Sequence, residues 1–156
     1  MDAPAPMAVP PGAGRTIQGP AGGPLTFKVR GEETAGRFLA IENVIAPGDG
    51  PPVHTHAVED EMWQVLEGTL RFRLGEHDAE APAGTFVFVP RGTPHAFVNV
   101  GAEPARILVM FTPAGMERFF DAFAALPDDA DLPAAFGRLG AEVGMEGVGP
   151  RLRPDA

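Results

Sequence analysis

Four side chains in this sequence have the types and the spacing to hold a metal ion: His54, His56, Glu61 and His95. His54 and His56 are separated by one residue. Positions i and i+2 of a strand face the same way, so both imidazoles can enter one cavity. Glu61 lies five residues beyond His56, the wrong parity for an unbroken strand, so residues 57–60 must turn or bulge before the chain re-enters a sheet. Glu61 then opens a second strand, with Trp63 and Val65 on its inward face. His95 follows the turn Pro90-Arg91-Gly92-Thr93-Pro94 and carries Phe97 and Asn99 on its own face. Glu59 and Asp60 are placed in the turn and Glu67 facing away, which leaves Glu61 as the carboxylate inside.

Three imidazoles and one carboxylate suit a single divalent transition metal ion per chain (Fe, Ni, Co, Mn, Cu or Zn), whereas Ca and Mg prefer oxygen ligands. Such a set leaves one or two coordination positions open and keeps roughly one positive charge, which favours an enolate, phenolate or carboxylate ligand. A lone histidine would read as a hydrogen-bonded core residue. A His-x-His pair, a spaced Glu and a later His, in a chain with four histidines, read as a ligand set. The fourth, His77, sits in the turn Gly75-Glu76-His77-Asp78 and is expected to be exposed and without a role.

The elements that must position these groups are strands. Short apolar or alternating runs separated by Gly/Pro turns extend from Leu25 to Phe111, the pattern of a sandwich or barrel. Candidate strands are 25–29, 37–45, 53–56, 61–66, 69–74, 85–89, 95–100 and 105–111. The clearest alternation puts Leu70, Phe72 and Leu74 inward and Arg71 and Arg73 outward, the arginines as solvated charges. After Phe111 the period becomes helical. Met116, Phe119, Phe120, Phe123 and Leu126 define one helix, with Thr112 as its cap and Pro113 at its first position. A second helix is expected over 132–143, capped by Asp131, with Leu132, Phe136, Leu139 and Val143 as its face and Gly144 as its stop. The phenylalanine stripe is expected to pack on the barrel or on a second subunit rather than to bind a cofactor. The organisation is thus a flexible N-terminal arm over 1–22, a barrel over 23–112, and helices with a tail over 113–156.

Composition sets the outer bounds. A chain of 156 residues with 44% apolar content is sized for one globular domain. Twenty glycines and eighteen prolines suit many tight turns. Cysteine is absent, so a metal must be held by His and carboxylates. A net charge of −9 with no basic cluster disfavours nucleic acid and anionic membrane surfaces as partners. No apolar run approaches the roughly 18 residues of a membrane span. The first twenty residues lack a basic stretch followed by an apolar core, so no signal peptide is expected and a cytoplasmic location is the default.

The spacings resemble the two cupin motifs. Gly48, five residues, His54-Thr55-His56, four residues, Glu61, six residues and Gly68 match the first in every gap. Gly84, five residues, Pro90-Arg91-Gly92, two residues, His95, three residues and Asn99 match the second. The fifteen residues between Gly68 and Gly84 are close to the short spacer of single-domain bacterial cupins. The resemblance covers residues 25 to 112 and implies an all-β fold, a cupin jelly-roll β-barrel with a short C-terminal helical extension, holding the metal on His54, His56, Glu61 and His95. Within cupins, the run PPVHTHAVEDEMWQVLEG followed by RFRLG is similar to bacterial monocupins of the quercetin 2,3-dioxygenase-like group. That similarity implies dioxygen chemistry on an aromatic or enolisable small molecule, with Glu61 as catalytic base as well as ligand, and Trp63, Phe72 and Phe97 as the substrate wall. The alternatives are a non-redox, metal-dependent cyclase or isomerase such as a polyketide cyclase, and a cupin that binds a small molecule without turnover. A homodimer is expected.

Overall fold

The computed structural model describes residues 3–156, and eleven strands and two helices are assigned among them. The strands are β1 (Thr16–Gln18), β2 (Pro24–Val29), β3 (Leu39–Ile45), β4 (Pro52–His56), β5 (Asp60–Glu67), β6 (Thr69–Leu74), β7 (His77–Pro82), β8 (Phe86–Val89), β9 (His95–Asn99), β10 (Ala105–Thr112) and β11 (Met145–Arg151). The helices are α1 (Glu117–Ala124) and α2 (Leu132–Glu142). One sheet has the order β1-β2-β3-β10-β5-β8 and the other β11-β4-β9-β6-β7, with every pairing antiparallel. Two facing antiparallel sheets with the core between them are the jelly-roll architecture expected from the sequence.

Period-2 alternation builds the core. On β5, Glu61, Trp63 and Val65 are buried while Met62, Gln64 and Leu66 are half-exposed. Leu70 and Phe72 of β6 are fully buried, and Leu74 is partly so. Arg73 pairs with Asp78 on β7, and Arg71 reaches the carbonyl of Arg153, so the two arginines lie outside the core as expected. The β5–β6 turn needs glycine: Gly68 has φ +83°, and a Cβ there would lie 2.9 Å from that of Ala105.

Three strands depart from the sequence reading. Part of the expected flexible arm forms β1, whose Ile17 is buried, and Ala21 beyond it is in the core as well. Residues 1 and 2 of that arm lie outside the described residues. His77 opens β7 instead of ending a turn, although it is exposed as expected. The tail after Gly144 forms β11 against β4, with Met145 opposite His56 and Gly147 opposite His54.

The helices are where the sequence put them, but α1 begins differently. Thr112 belongs to β10 and donates its hydroxyl to the Arg37 carbonyl, so it caps no helix. Met116 occupies the cap position without a side-chain hydrogen bond, and Glu117 ties the entry down by accepting from Gly31 N and Gly115 N. Asp131 caps α2 as expected, accepting from Ala134 N. Leu132, assigned to the buried face of α2, is instead exposed, because its core contacts come from Ala135, Leu139 and Val143. Phe119 and Phe120 are 2% and 7% exposed, so the aromatic stripe is spent on this chain's own barrel. No described helix is long and apolar enough to cross a membrane.

Candidate metal centre

The four predicted ligands converge between the two sheets. His54 and His95 stand opposite each other on β4 and β9, His56 follows on β4, and Glu61 comes from β5 of the facing sheet. One nitrogen or oxygen from each lies within 4.8 Å of the others. All four residues are 1–5% exposed. Glu61 Oε2 is the hub, 3.0 Å from His56 Nε2 and 2.9 Å from His95 Nε2. The bend at Ala57 and Val58 supplies the change of parity that the spacing required.

The charge states are set for coordination. Burial and the neighbouring His95 push His54 down to about 3, so it is neutral near pH 7 and has no proton to lose to a metal. Burial pushes Glu61 up, but the attraction of His56 and the contacts of both ring nitrogens outweigh it and bring the carboxyl down to about 2. Burial also works against a charged His95, yet its contact with Glu61 raises its pKa overall. A metal ion would replace that proton as the counter-charge of Glu61.

The residues fit a transition metal on a local observation. His56 is 2% exposed, and neither ring nitrogen has a hydrogen-bond partner among the described residues. Its Nε2 is near Glu61 Oε2, but at an angle outside hydrogen-bond geometry. A buried nitrogen so placed costs stability unless something takes its lone pair. An ion among these three nitrogens and one oxygen does so, and the donor set suits Zn, Fe, Ni, Co, Cu or Mn.

A cavity of about 60 Å³ opens beside the cluster. Trp63 and Phe97 line it, together with Phe111, Phe119 and Phe136. Phe72 is not among its lining residues. Fully buried, Phe72 packs behind the wall, with ring centroids 5.2 Å from Trp63 and 5.5 Å from Phe97. The sequence reading missed Asn43, which also lines the cavity at 6% exposure with an unpartnered Oδ1; Trp63 Nε1 likewise has no partner. An Asn in register with the apolar Leu39, Ile41 and Ile45 of the strand LAIENVI was the available signal. Asn99 is structural: it donates to the carbonyls of Ile45 and Glu103 and accepts from Gly101 N.

Glu59, expected in the turn and not inside the barrel, is a further correction. It is 3% exposed, with Oε2 3.8 Å from His56 Nδ1, and burial raises its pKa. The residue lies at the bend, but the bend folds its side chain inward.

This fold and centre define a cupin: residues 43–111 match the family model described as a cupin domain. The barrel is a single cupin domain. The chain is 31% identical over 80 residues to the tetracenomycin polyketide synthase protein TcmJ of Streptomyces glaucescens, a match covering 51% of this chain and 52% of TcmJ. It thus spans about half the length of that curated relative. Among solved structures, the polyketide cyclase RemF from Streptomyces resistomycificus is 26% identical with a TM-score of 0.59, covering 69% of this chain and 80% of RemF. An RmlC-like cupin from Shewanella frigidimarina superposes with a TM-score of 0.61 at 18% identity, covering 72% of this chain and 96% of that one, which speaks for the fold alone.

Proposed function

We propose that this cupin is a metal-dependent enzyme acting on an enolisable, aromatic or aromatisable small molecule, with a non-redox cyclisation of a polyketide-like substrate as its reaction. The observation that carries the reading is the buried cluster of three histidines and Glu61 opening onto a cavity walled by aromatic rings. The likeness to TcmJ and RemF supports the cyclase over the other chemistries.

A divalent metal bound by His54, His56, Glu61 and His95 would supply Lewis acidity toward an enolate or phenolate oxygen. The chain's own residues do the rest. Trp63 and Phe97 on one side, with Phe111, Phe119 and Phe136, offer flat apolar surfaces that hold a planar or folded substrate and exclude water. The unpartnered Asn43 Oδ1 accepts a hydrogen bond from a substrate hydroxyl, and Trp63 Nε1–H donates to a carbonyl, so the ligand carries oxygens on an otherwise apolar frame. Glu61, ionised and beside the cluster, takes a proton from the carbon or hydroxyl that becomes the enolate.

The second reading is a quercetinase-like dioxygenase, which the similarity of the His-x-His stretch favours. Metal-loaded protein incubated with a linear poly-β-ketone and with flavonols, under argon and under air, separates the readings. Cyclised product under both gases is the expected result. Turnover that stops under argon and consumes dioxygen would transfer the assignment to the oxygenase, and tight binding without product would make the protein a binder. The protein is proposed to work as a homodimer in the cytoplasm.

A further inference from the structure

We propose that Glu59 is the outer carboxylate of the metal site, a positioning residue that holds the His56 ring by Nδ1–H so that Nε2 is the atom presented to the metal. This rests on the reading of the four-residue cluster as a metal centre.

The three imidazoles are not held alike. His54 Nδ1 lies 2.7 Å from the carbonyl oxygen of Pro52, and His95 Nδ1 lies 2.8 Å from that of Thr93. Each ring therefore donates from Nδ1 to the backbone two residues earlier, which leaves Nε2 as the atom turned toward the cluster. His56 has no such carbonyl, and its Nδ1 is a buried atom without a partner. Glu59 Oε2 is also buried without a partner, and it faces that nitrogen at 3.8 Å. A donor and an acceptor, both orphaned, are thus set opposite each other. A small rotation of either side chain brings them to the roughly 2.7–2.9 Å of a charge-assisted hydrogen bond.

The bend after His56 makes this possible, since it turns the residue at i+3 back toward the imidazole. A carboxylate at that place does more than a backbone carbonyl. It fixes the tautomer and also makes the ring a better electron donor, and such partners typically set metal affinity by about 10–100-fold. His56 would then be the most strongly donating of the three histidines, and the bound site would carry two carboxylate charges, one inside the coordination shell and one behind it.

The test uses the full chain and Zn(II) or Co(II). In the wild-type protein, long-range ¹H–¹⁵N spectra of the histidine rings should show His56 protonated at Nδ1 and Nε2 bare; an Nε2–H form of His56 in the metal-loaded protein would overturn the proposal without any variant. Glu59→Gln should weaken metal binding about 10–100-fold in chelator competition, with the His54 and His95 signals unchanged, and Glu59→Asp should recover part of the loss. Affinity within twofold of wild type in Glu59→Gln sinks the proposal, and if turnover is then lost the carboxylate acts on substrate instead. Wild-type protein that takes up no metal would refute the metal reading itself, a result distinct from either.

Discussion

At the centre, each side chain's role is set by where its strand places it. Replacing His54 or His56 by Ala should remove most of the metal from protein purified without chelator, measured by elemental analysis. Full occupancy in either variant would break the assignment. In a metal-loaded structure the bonds should measure about 2.0–2.3 Å. Glu61→Gln keeps shape and a weak ligand oxygen but cannot accept a proton at working pH. Turnover is expected to fall by roughly 10²–10⁴ with metal retained; more than about a tenth of normal activity would leave Glu61 a ligand only. These four residues were legible because a strand's two-residue period and fixed gaps between motifs survive without knowledge of the fold. Glu59 was not legible, since parity says where a strand residue points and nothing about a residue at a bend. Asn43 is not legible because two adjacent polar residues, Glu42 and Asn43, do not by themselves show which of the two will line a cavity.

Among the elements, strands with apolar alternation were found within a residue or two of their ends. β7 and β11 were missed for a shared reason: HDAEAP and MEGVGPR bury almost nothing and owe their form to hydrogen bonds with β6 and β4. β1 was missed because three residues are too few to show a period. Its neighbourhood is held by charge. Asp121 of α1 receives Arg15 at 2.8 Å and Arg30 at 2.5 Å, and Arg30 also lies over the Phe27 ring at 4.6 Å. The hydrogen bond from Arg30 holds Asp121 below the ordinary carboxylate range. Asp121→Asn should therefore lower stability by about 1 kcal/mol, a few degrees in Tm, since the pairs are partly exposed. A depressed carboxylate contributes fully above its unfolded pKa of about 3.9 and loses that contribution as pH falls through the lower folded value. The difference between wild type and variant should hold from pH 7 to about 5 and vanish in stronger acid. A difference that grows on acidification would contradict the pairing.

In the molecule as a whole, the four candidate ligands span the two sheets, three from one and Glu61 from the other. An ion present at a hundred times its Kd would stabilise the fold by about 2.7 kcal/mol. Stripping the metal should thus lower Tm by roughly 5–10 °C, and an unchanged Tm would deny the bridge. For the expected dimer the phenylalanine stripe of α1 is unavailable, because Phe119 and Phe120 are buried, and a strand face is left as the candidate surface. The outer face of the larger sheet carries Phe86 and Phe88 of β8, 59% and 54% exposed, beside Met62 on β5 and Met110 on β10. Ion pairs flank this strip, Arg91–Asp60 at one side and Arg106 with Glu42 and Glu67 at the other. An exposed apolar strip of this kind could meet its own copy across a two-fold axis. We expect a dimer at micromolar concentration and a monomer for Phe86→Glu/Phe88→Glu. Light scattering near 16.4 kDa at every concentration for the wild type would overturn it.

The pairing of β11 with β4 has a consequence in time. The strand carrying His54 and His56 is translated about ninety residues before the strand that covers its outer edge. While the ribosome is still making the helices, β4 exposes an open row of amides and carbonyls, the condition under which nascent chains stick to one another. Only when β11 pairs with β4 does the strand carrying His54 and His56 lose that open edge, so the last residues made are the ones that close it.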